Sequence, residues 1–125
     1  MKKIITSDKA PAPIGPYNQA ILAGNTLYVS GQIPFDAASG NLINGSIEEE
    51  THQVMKNLRF ILEEAGMDFS SVVKCSIFIK NMDDFGKINE AYGSYFGDDA
   101  PARETVEVAR LPKDVNVEIS CIAVN

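Results

Sequence analysis

The chain has 125 residues, 45% of them hydrophobic, which is the size expected of one folded domain spanning 1–125. Its 11 basic and 17 acidic side chains give a net charge of -6, and this charge disfavours nucleic acid and anionic membranes as partners. With 2 cysteines, not in a CxxC spacing, and 1 histidine, the sequence has too few ligands for a cysteine/histidine zinc site, so we expect no metal.

The N-terminal residues carry no pattern typical of export or membrane insertion. Met1-Lys2-Lys3 is followed by a single pair of aliphatic residues, whereas a signal peptide contains an apolar segment of about 7–15 residues. No apolar run elsewhere approaches the roughly 20 residues that span a bilayer. We therefore expect a cytoplasmic protein with reduced thiols.

The first part of the chain has the pattern of strands and loops. Prolines recur in 10–16, which favours an extended, ordered loop. Two β-compatible runs, 17–23 and 26–31, flank Gly24-Asn25, a pair that suits a two-residue hairpin turn. The stretch 36–45 is rich in Gly, Asn, Asp and Ser without periodicity, so it is predicted to be a loop.

A helix is predicted to begin at Ser46. Ser46 and Glu49 have the spacing of a capping box, in which each side chain can bond the other residue's backbone amide. Gly66 is placed to end the helix in the left-handed conformation, a left-handed stop that favours glycine. The apolar residues recur at helical spacing on one face, with polar and charged residues opposite: Ile47, Val54, Met55, Leu58, Ile61, Leu62 and Ala65.

The second half of the chain alternates strands and helices. Residues 72–80 alternate with period two, which predicts a strand with one buried face. A helix is predicted over 82–96, with Gly97 as its stop, because apolar residues form a stripe along it at helical spacing: Phe85, Ile88, Ala91, Tyr92 and Tyr95. Gly86 and Gly93 weaken this helix by roughly 1 kcal/mol each relative to alanine, so we expect a neighbouring backbone to pass close to them.

Two more strands, 103–109 and 115–124, complete the predicted elements. A hairpin centred on Pro112-Lys113 would pair Glu118 with about Glu107 and leave Arg103 about 13 Å along the strand. Long side chains or a neighbouring subunit would then have to close that gap.

The order of elements, βββαβαββ with a short first strand, predicts an α+β sandwich in which two helices cover one face of a mixed sheet. Several residues predicted on the opposite face are too apolar for contact with water, so we expect homo-oligomerisation through the sheet. These residues are Phe78, Val106, Val108, Ile122 and Val124.

Common catalytic motifs are missing from the sequence. It contains no GxxxxGK or GxGxxG phosphate loop, no HExxH and no CxxC. His52, the single histidine, falls near the polar face of the first helix and is expected to be a solvated surface residue. Cys75 and Cys121 lie in the aliphatic alternation of strands and are expected to be inert core thiols.

Two residues remain as candidates for chemistry. Arg103 follows Pro101-Ala102 at the start of a strand, where a guanidinium can bind a carboxylate through two parallel hydrogen bonds. Glu118 lies on the strand face predicted to be buried between subunits, and a carboxylate there needs a partner or a function. The residues alone also permit an Arg103 salt bridge at a rim and a solvated Glu118 at a strand end.

Five segments carry a resemblance to a known family: Ile14-Gly15-Pro16-Tyr17, Ser30-Gly31-Gln32-Ile33-Pro34, Pro101-Ala102-Arg103, Val106-Glu107-Val108-Ala109-Arg110-Leu111-Pro112 and Val117-Glu118-Ile119. In this order, and over essentially the whole chain, they resemble the RidA (YjgF) family of reactive-intermediate deaminases. The resemblance implies a chorismate-mutase-like fold and a homotrimer whose sheets form a central barrel with clefts between subunits. It also implies hydrolysis of 2-aminoacrylate and related enamines or imines to 2-oxo acids and ammonia, without metal or cofactor.

The same resemblance implies roles for individual residues. Arg103 would bind the substrate carboxylate, and Glu118 would hold and activate water. Four residues would shape the pocket, and the backbone amide of Thr105 would donate to the carboxylate. The four pocket residues are Tyr17, Ser30, Gly31 and Asn89.

Two positions depart from the family pattern. Thr105 stands where many members carry cysteine, but a role of the backbone amide survives that change. Glu104 stands where a small residue is common, although alternation should direct its carboxylate away from Arg103. Glu104 keeps open the alternative of a non-catalytic small-molecule or regulatory binding module. RNA cleavage, associated with some relatives, is disfavoured by the acidic composition and the single histidine.

Overall fold

A computed structural model describes the whole chain, Met1–Asn125, and has an α+β fold. Its elements are β1 (Lys2–Ile5), β2 (Ala20–Ala23), β3 (Thr26–Gln32), β4 (Phe35–Asp36), β5 (Asn41–Leu42), α1 (Ile47–Glu64), β6 (Val72–Ile79), α2 (Phe85–Gly93), β7 (Ala102–Glu107) and β8 (Val117–Val124). One six-stranded mixed sheet has the order β1-β2-β3-β8-β6-β7. The predicted α+β class, mixed sheet and two helices are confirmed.

The N-terminal hairpin forms as predicted. β2 and β3 pair antiparallel from Ala23 opposite Thr26, and Gly24 takes the positive φ of 62° that the turn requires. The predicted loop 36–45 is partly wrong, because β4 and β5 form a short ladder across it with Phe35 opposite Leu42.

Helix α1 begins and ends where the sequence predicts. The Ser46 side chain accepts a hydrogen bond from the Glu49 amide at 3.1 Å, although the reciprocal bond of the capping box does not form. At the other end Gly66 has φ 73°, and the Met67 amide donates to the Leu62 carbonyl at 2.9 Å. The left-handed stop is therefore confirmed.

The polar face of α1 is less exposed than expected. Asn57 is fully buried and donates to the carbonyls of Ile33 and Phe35, at 3.0 Å each. Glu50 is also buried and accepts bonds from the Asn116 backbone and side chain, at 3.2 and 2.7 Å. Periodicity missed these residues because they pair with polar groups of loops that pack on the helix from distant parts of the sequence.

Helix α2 is shorter than predicted. A 3-10 turn, Met82–Asp84, precedes it, and the helix ends at Gly93 instead of continuing to residue 96. The expectation of a close backbone beside Gly86 and Gly93 is wrong within the chain, because an added Cβ at either position would meet no atom within 4 Å.

The strand β7 does not pair with β8, so the predicted hairpin is wrong. β7 runs parallel to β6 at the sheet edge, and β8 lies antiparallel between β3 and β6. The crossover through α2 brings the chain back to the start of β6, which makes the two strands parallel. Glu118 therefore lies opposite Phe78, and Arg103 lies opposite Cys75.

Strand alternation gives the sheet two different faces. The face covered by the helices is closely packed, and its members in β6 and β8 include Cys75, Ile77, Ile119 and Cys121. The opposite face, called the open face below, contains Glu118 and the apolar residues of the sequence prediction. In the single chain Val106 and Val124 are 40% and 37% exposed, and Phe78, Val108 and Ile122 are half-buried.

Neither helix combines the length and the apolar character that a bilayer-spanning helix requires.

Candidate active site

Arg103 lies on β7 with its side chain directed to the helix layer. Its Nη1 donates to Asn89 Oδ1, and its Cζ lies 5.5 Å from the ring centre of Phe85 and 5.4 Å from that of Tyr92. The three partners are spaced i, i+4 and i+7 along α2, which puts them on one face of that helix. One face of α2 therefore contacts the guanidinium through three side chains.

The remaining donors of the Arg103 guanidinium have no acceptor in the chain. Asn89 is its one hydrogen-bond partner, and the two ion pairs of the structure, Lys74–Glu104 and Arg110–Asp114, do not include it. Arg103 is half-buried, so it is neither sealed in the core nor surrounded by water. The arrangement can accept an anion at the free edge of the guanidinium.

Glu118 lies in β8 on the open face, directly against the backbone of β3. A Cβ added to Gly31 would lie 2.8 Å from Glu118 Cδ, so a larger residue at this position would force the carboxyl group to move. Burial raises the pKa of Glu118 above its ordinary value. A carboxyl group with a raised pKa can exchange protons closer to neutral pH than a solvated one.

A cavity of about 180 Å³ opens beside Gly31. Tyr17 contributes to its wall, and the Tyr17 hydroxyl accepts a hydrogen bond from the Ile14 amide at 3.3 Å. The other lining residues are mostly apolar, with one cation: Pro11, Ala12, Ile14, Gln19, Gln32, Ile33, Phe35 and Lys113. Such a cavity suits a small organic molecule more than a polymer.

Ser30 and Thr105 are placed differently from each other. The Ser30 hydroxyl donates to the Asn18 carbonyl at 2.6 Å and thereby holds the segment that carries Tyr17. Thr105 lies opposite Ile77 on β7, and its hydroxyl is buried without a hydrogen-bond partner. Because β7 is an edge strand, part of its backbone has no strand partner within the chain.

The predicted site residues form two separate groups within one chain. Gly31 packs against the Glu118 carboxyl group and lines the cavity together with Tyr17, whereas Asn89 and Arg103 come together on the helix side. Alternation along the paired strands β7, β6 and β8 directs the side chains of Arg103 and Glu118 to opposite faces of the sheet. One copy of the chain does not bring them to a common substrate.

The Glu104 carboxylate points away from Arg103, as alternation predicted. It forms an ion pair with Lys74 at 2.9 Å and accepts a hydrogen bond from Ser76. These partners lower the pKa of Glu104, with the Ser76 hydrogen bond as the largest cause. Glu104 therefore does not oppose an anion bound to Arg103 of the same chain.

The other candidates from the sequence have structural partners. His52 is half-buried and bonded through Nδ1 to the Tyr95 hydroxyl at 2.8 Å, so the expectation of a solvated histidine is wrong. Cys75 and Cys121 are buried free thiols, as predicted, and burial raises the pKa of both. No group of three or more metal-ligating side chains occurs in the chain.

Sequence reasoning missed the two aromatic residues beside Arg103. The sequence predicts Phe85 and Tyr92 only as parts of the apolar stripe of the second helix. Their shared helical face with Asn89 was available from the spacing, but their contact with Arg103 depends on the crossover that places β7 under α2.

Known proteins are similar to this chain in both sequence and fold. The family profile described as Endoribonuclease L-PSP matches residues 7–125. A RutC family protein of Pyrococcus horikoshii is 51% identical over 123 residues, covering 98% of each chain. The rat 2-iminobutanoate/2-iminopropanoate deaminase is 48% identical over 124 residues, covering 99% of this chain and 90% of the rat protein. The crystal structure of the Rid family protein YyfA from Yersinia pestis has a TM-score of 0.96 at 44% identity, covering 100% of both chains.

The mixed six-stranded sheet covered by two helices is thus the fold of Rid proteins. The chain belongs to this family, which includes RidA/YjgF and whose profile is described as Endoribonuclease L-PSP. The resemblance to the RidA (YjgF) family that the sequence predicted is confirmed.

Proposed function

We propose that the protein hydrolyses 2-aminoacrylate and related enamine or imine intermediates, such as 2-iminobutanoate and 2-iminopropanoate, to 2-oxo acids and ammonia. The observation that carries this proposal is the Arg103 guanidinium, which α2 holds with donors left free for an anion. Support comes from a relative, 48% identical, that is named as a deaminase of this kind. The small, mostly apolar cavity beside Gly31 fits a metabolite of this size.

The proposed active site requires two copies of the chain. Arg103 and Glu118 face opposite sides of one sheet, so Arg103 of one copy would meet Glu118 of another. The apolar residues of the open face supply a surface for association. We infer the homotrimer with a central barrel that the family resemblance implies, with one site at each boundary between copies.

The reaction itself needs little from the protein. An enamine first tautomerises to an imine by proton transfer to carbon. Water then adds to C2, its oxygen forming the new C–O bond while the imine nitrogen takes up a proton. In the tetrahedral intermediate the hydroxyl proton then moves to the nitrogen, the C–N bond breaks, ammonia leaves, and the carbonyl of the 2-oxo acid forms. Only water is consumed, so an anion clamp, a positioned water and a proton carrier suffice.

The residues divide this work. Arg103 holds the substrate carboxylate, with the Thr105 backbone amide as a further donor. Glu118 accepts a proton from the attacking water and returns it to the departing nitrogen, a role for which its raised pKa is suited. Tyr17, Ser30 and Gly31 shape the pocket around this carboxyl group.

The test is an assay coupled to a threonine dehydratase, which releases the enamine and imine of 2-oxobutanoate. Semicarbazide traps the imine, and added protein is expected to divert it to the 2-oxo acid in proportion to its concentration. Arg103→Ala is expected to abolish this effect while the oligomer persists. Full activity of the variant would refute the proposal.

Two alternatives predict different outcomes. A non-catalytic binding module would bind 2-oxobutanoate but leave hydrolysis at the background rate. The profile name makes RNA cleavage the other alternative, although the net charge of -6 disfavours a polyanion. RNA degradation that persists unchanged in Arg103→Ala would indicate a contaminating nuclease.

We further propose a cytoplasmic location.

A further inference from the structure

We propose that Phe85, Asn89 and Tyr92 are positioning residues that orient the Arg103 guanidinium so that its Nε–Nη2 edge faces the ligand carboxylate. The inference deepens the proposed function, on which it rests for the identity of the ligand. It assigns Asn89 to Arg103 instead of to the substrate itself. It also gives α2 a role in the site that its apolar stripe did not indicate.

The hydrogen bond from Nη1 to Asn89 leaves the Nε–Nη2 edge of the guanidinium free. Asn89 Oδ1 accepts from one of the two N–H groups of Nη1, and no atom of the chain accepts from Nε or Nη2. These two nitrogens form the side of the guanidinium that binds a carboxylate through parallel bonds. Arg110 adopts this geometry in the same protein, with Nε and Nη2 at 2.7 and 3.2 Å from the two oxygens of Asp114.

The aromatic rings restrict the remaining freedom of the guanidinium. Cζ of Arg103 lies within cation–π distance of both Phe85 and Tyr92. A long arginine side chain loses rotamer entropy when it binds a ligand, and a guanidinium already held by its surroundings loses less. Lysine could not replace Arg103, because all donors of an ammonium group lie on one nitrogen and cannot form two parallel hydrogen bonds with a carboxylate.

Tyr92 acts through its ring in this arrangement. Its hydroxyl is buried without a hydrogen-bond partner, whereas its ring contacts the guanidinium. Tyr92→Phe therefore keeps the positioning contact, and Tyr92→Leu removes it while preserving an apolar side chain. The pair separates the function of the ring from that of the hydroxyl.

The experiment measures 2-oxobutanoate binding by calorimetry, together with KM and kcat in the coupled assay, on the full oligomeric protein. Tyr92→Leu and Asn89→Ala are each expected to weaken binding and raise KM by about tenfold, the size of one lost cation–π contact or charged hydrogen bond. Tyr92→Phe is expected to bind like the unmodified protein. The kcat values and the shape of the pH profile should change less than about twofold, because these depend on Glu118.

Each outcome separates the two proposals. Unchanged binding in Tyr92→Leu and Asn89→Ala, or a loss of kcat with KM preserved, would overturn the positioning role even if imine hydrolysis is established. Binding that depends on Arg103 and its partners without hydrolysis would instead refute only the proposed function. Asn89 is exposed, so Asn89→Ala still decides the question if Tyr92→Leu fails to fold. Failure of the unmodified protein to bind 2-oxobutanoate would also overturn the inference.

Discussion

At the scale of single residues, Glu118 illustrates how a sheet raises the pKa of a carboxyl group. The side chain sits against the backbone at Gly31, where it is partly removed from water without an ion-pair partner in the chain. Desolvation disfavours the charged form and raises the pKa. The sequence indicated a carboxylate at an unusual position, but the cause of its pKa shift comes from a strand far away in the chain.

Glu118→Gln tests the consequence of this burial. We expect kcat to fall by about 100-fold or more, since a positioned acid–base group contributes on this scale, while KM for the imine changes little. In the unmodified protein, kcat should decrease as the pH falls through the raised pKa of Glu118. A kcat within a factor of two of the unmodified protein would contradict the assigned role.

The same substitution has an effect on stability that depends on pH. The folded pKa of Glu118 is above its unfolded value, so its contribution to stability is present at low pH and is lost as the pH rises through the folded pKa. Glutamine does not titrate. Thermal melting should therefore find Glu118→Gln more stable relative to the unmodified protein at pH 8 than at pH 4. A difference that does not vary with pH would contradict this account.

Gly31 offers a second test at the residue scale. Gly31→Ala places a methyl group where the Glu118 carboxyl group lies, so Glu118 must move. We expect kcat to drop at least tenfold, because small displacements of catalytic groups are costly. Gly86→Ala is the matched control, since its Cβ would meet no atom within 4 Å. Equal activity of the two variants would exclude a need for close packing at residue 31.

At the scale of elements, α1 was predictable because its determinants are local. Ser46 caps it, Gly66 ends it, and its buried stripe follows the helical period. Helix α2 was harder to predict, since nothing local required it to end at Gly93 instead of Gly97. The sequence located β7 and β8 approximately but did not predict the strands they pair with. Strand pairing in a mixed sheet joins residues that are far apart in the sequence.

Ser46→Ala tests the cap of α1. The loss of the hydrogen bond to the Glu49 amide should lower the free energy of unfolding by about 1 kcal/mol. Urea denaturation at constant protein concentration measures this change. Ser71→Ala serves as the control, because the Ser71 hydroxyl makes no hydrogen bond in the chain, and similar losses in both variants would contradict the capping role.

At the scale of the whole molecule, the sheet separates Arg103 from Glu118 within one copy of the chain. It directs Arg103 to the helices and Glu118 to the open face, so the proposed site requires a second copy. The acidic net charge does not prevent anion binding in this scheme, because local donors in a cleft decide the field at the ligand.

Mixed oligomers test the shared site. Arg103→Ala and Glu118→Gln should each be nearly inactive alone. Equal amounts that are unfolded and refolded together should recover about a quarter of the activity, since random pairing unites an intact Arg103 and an intact Glu118 at about one boundary in four. Simple mixing without refolding is the control, and no recovery after refolding would indicate a site contained within one chain.

The sequence by itself determined the class of fold, the ends of α1, the N-terminal hairpin and the buried cysteines, because caps, turns and periodicities act between near neighbours. It also identified Arg103 and Glu118 as candidates. The tertiary structure alone decided that β8 lies between β3 and β6. It also decided that Glu118 packs against Gly31, and that Phe85 and Tyr92 pack against Arg103. These contacts join residues far apart in the chain, and only the packed sheet and helices bring them together.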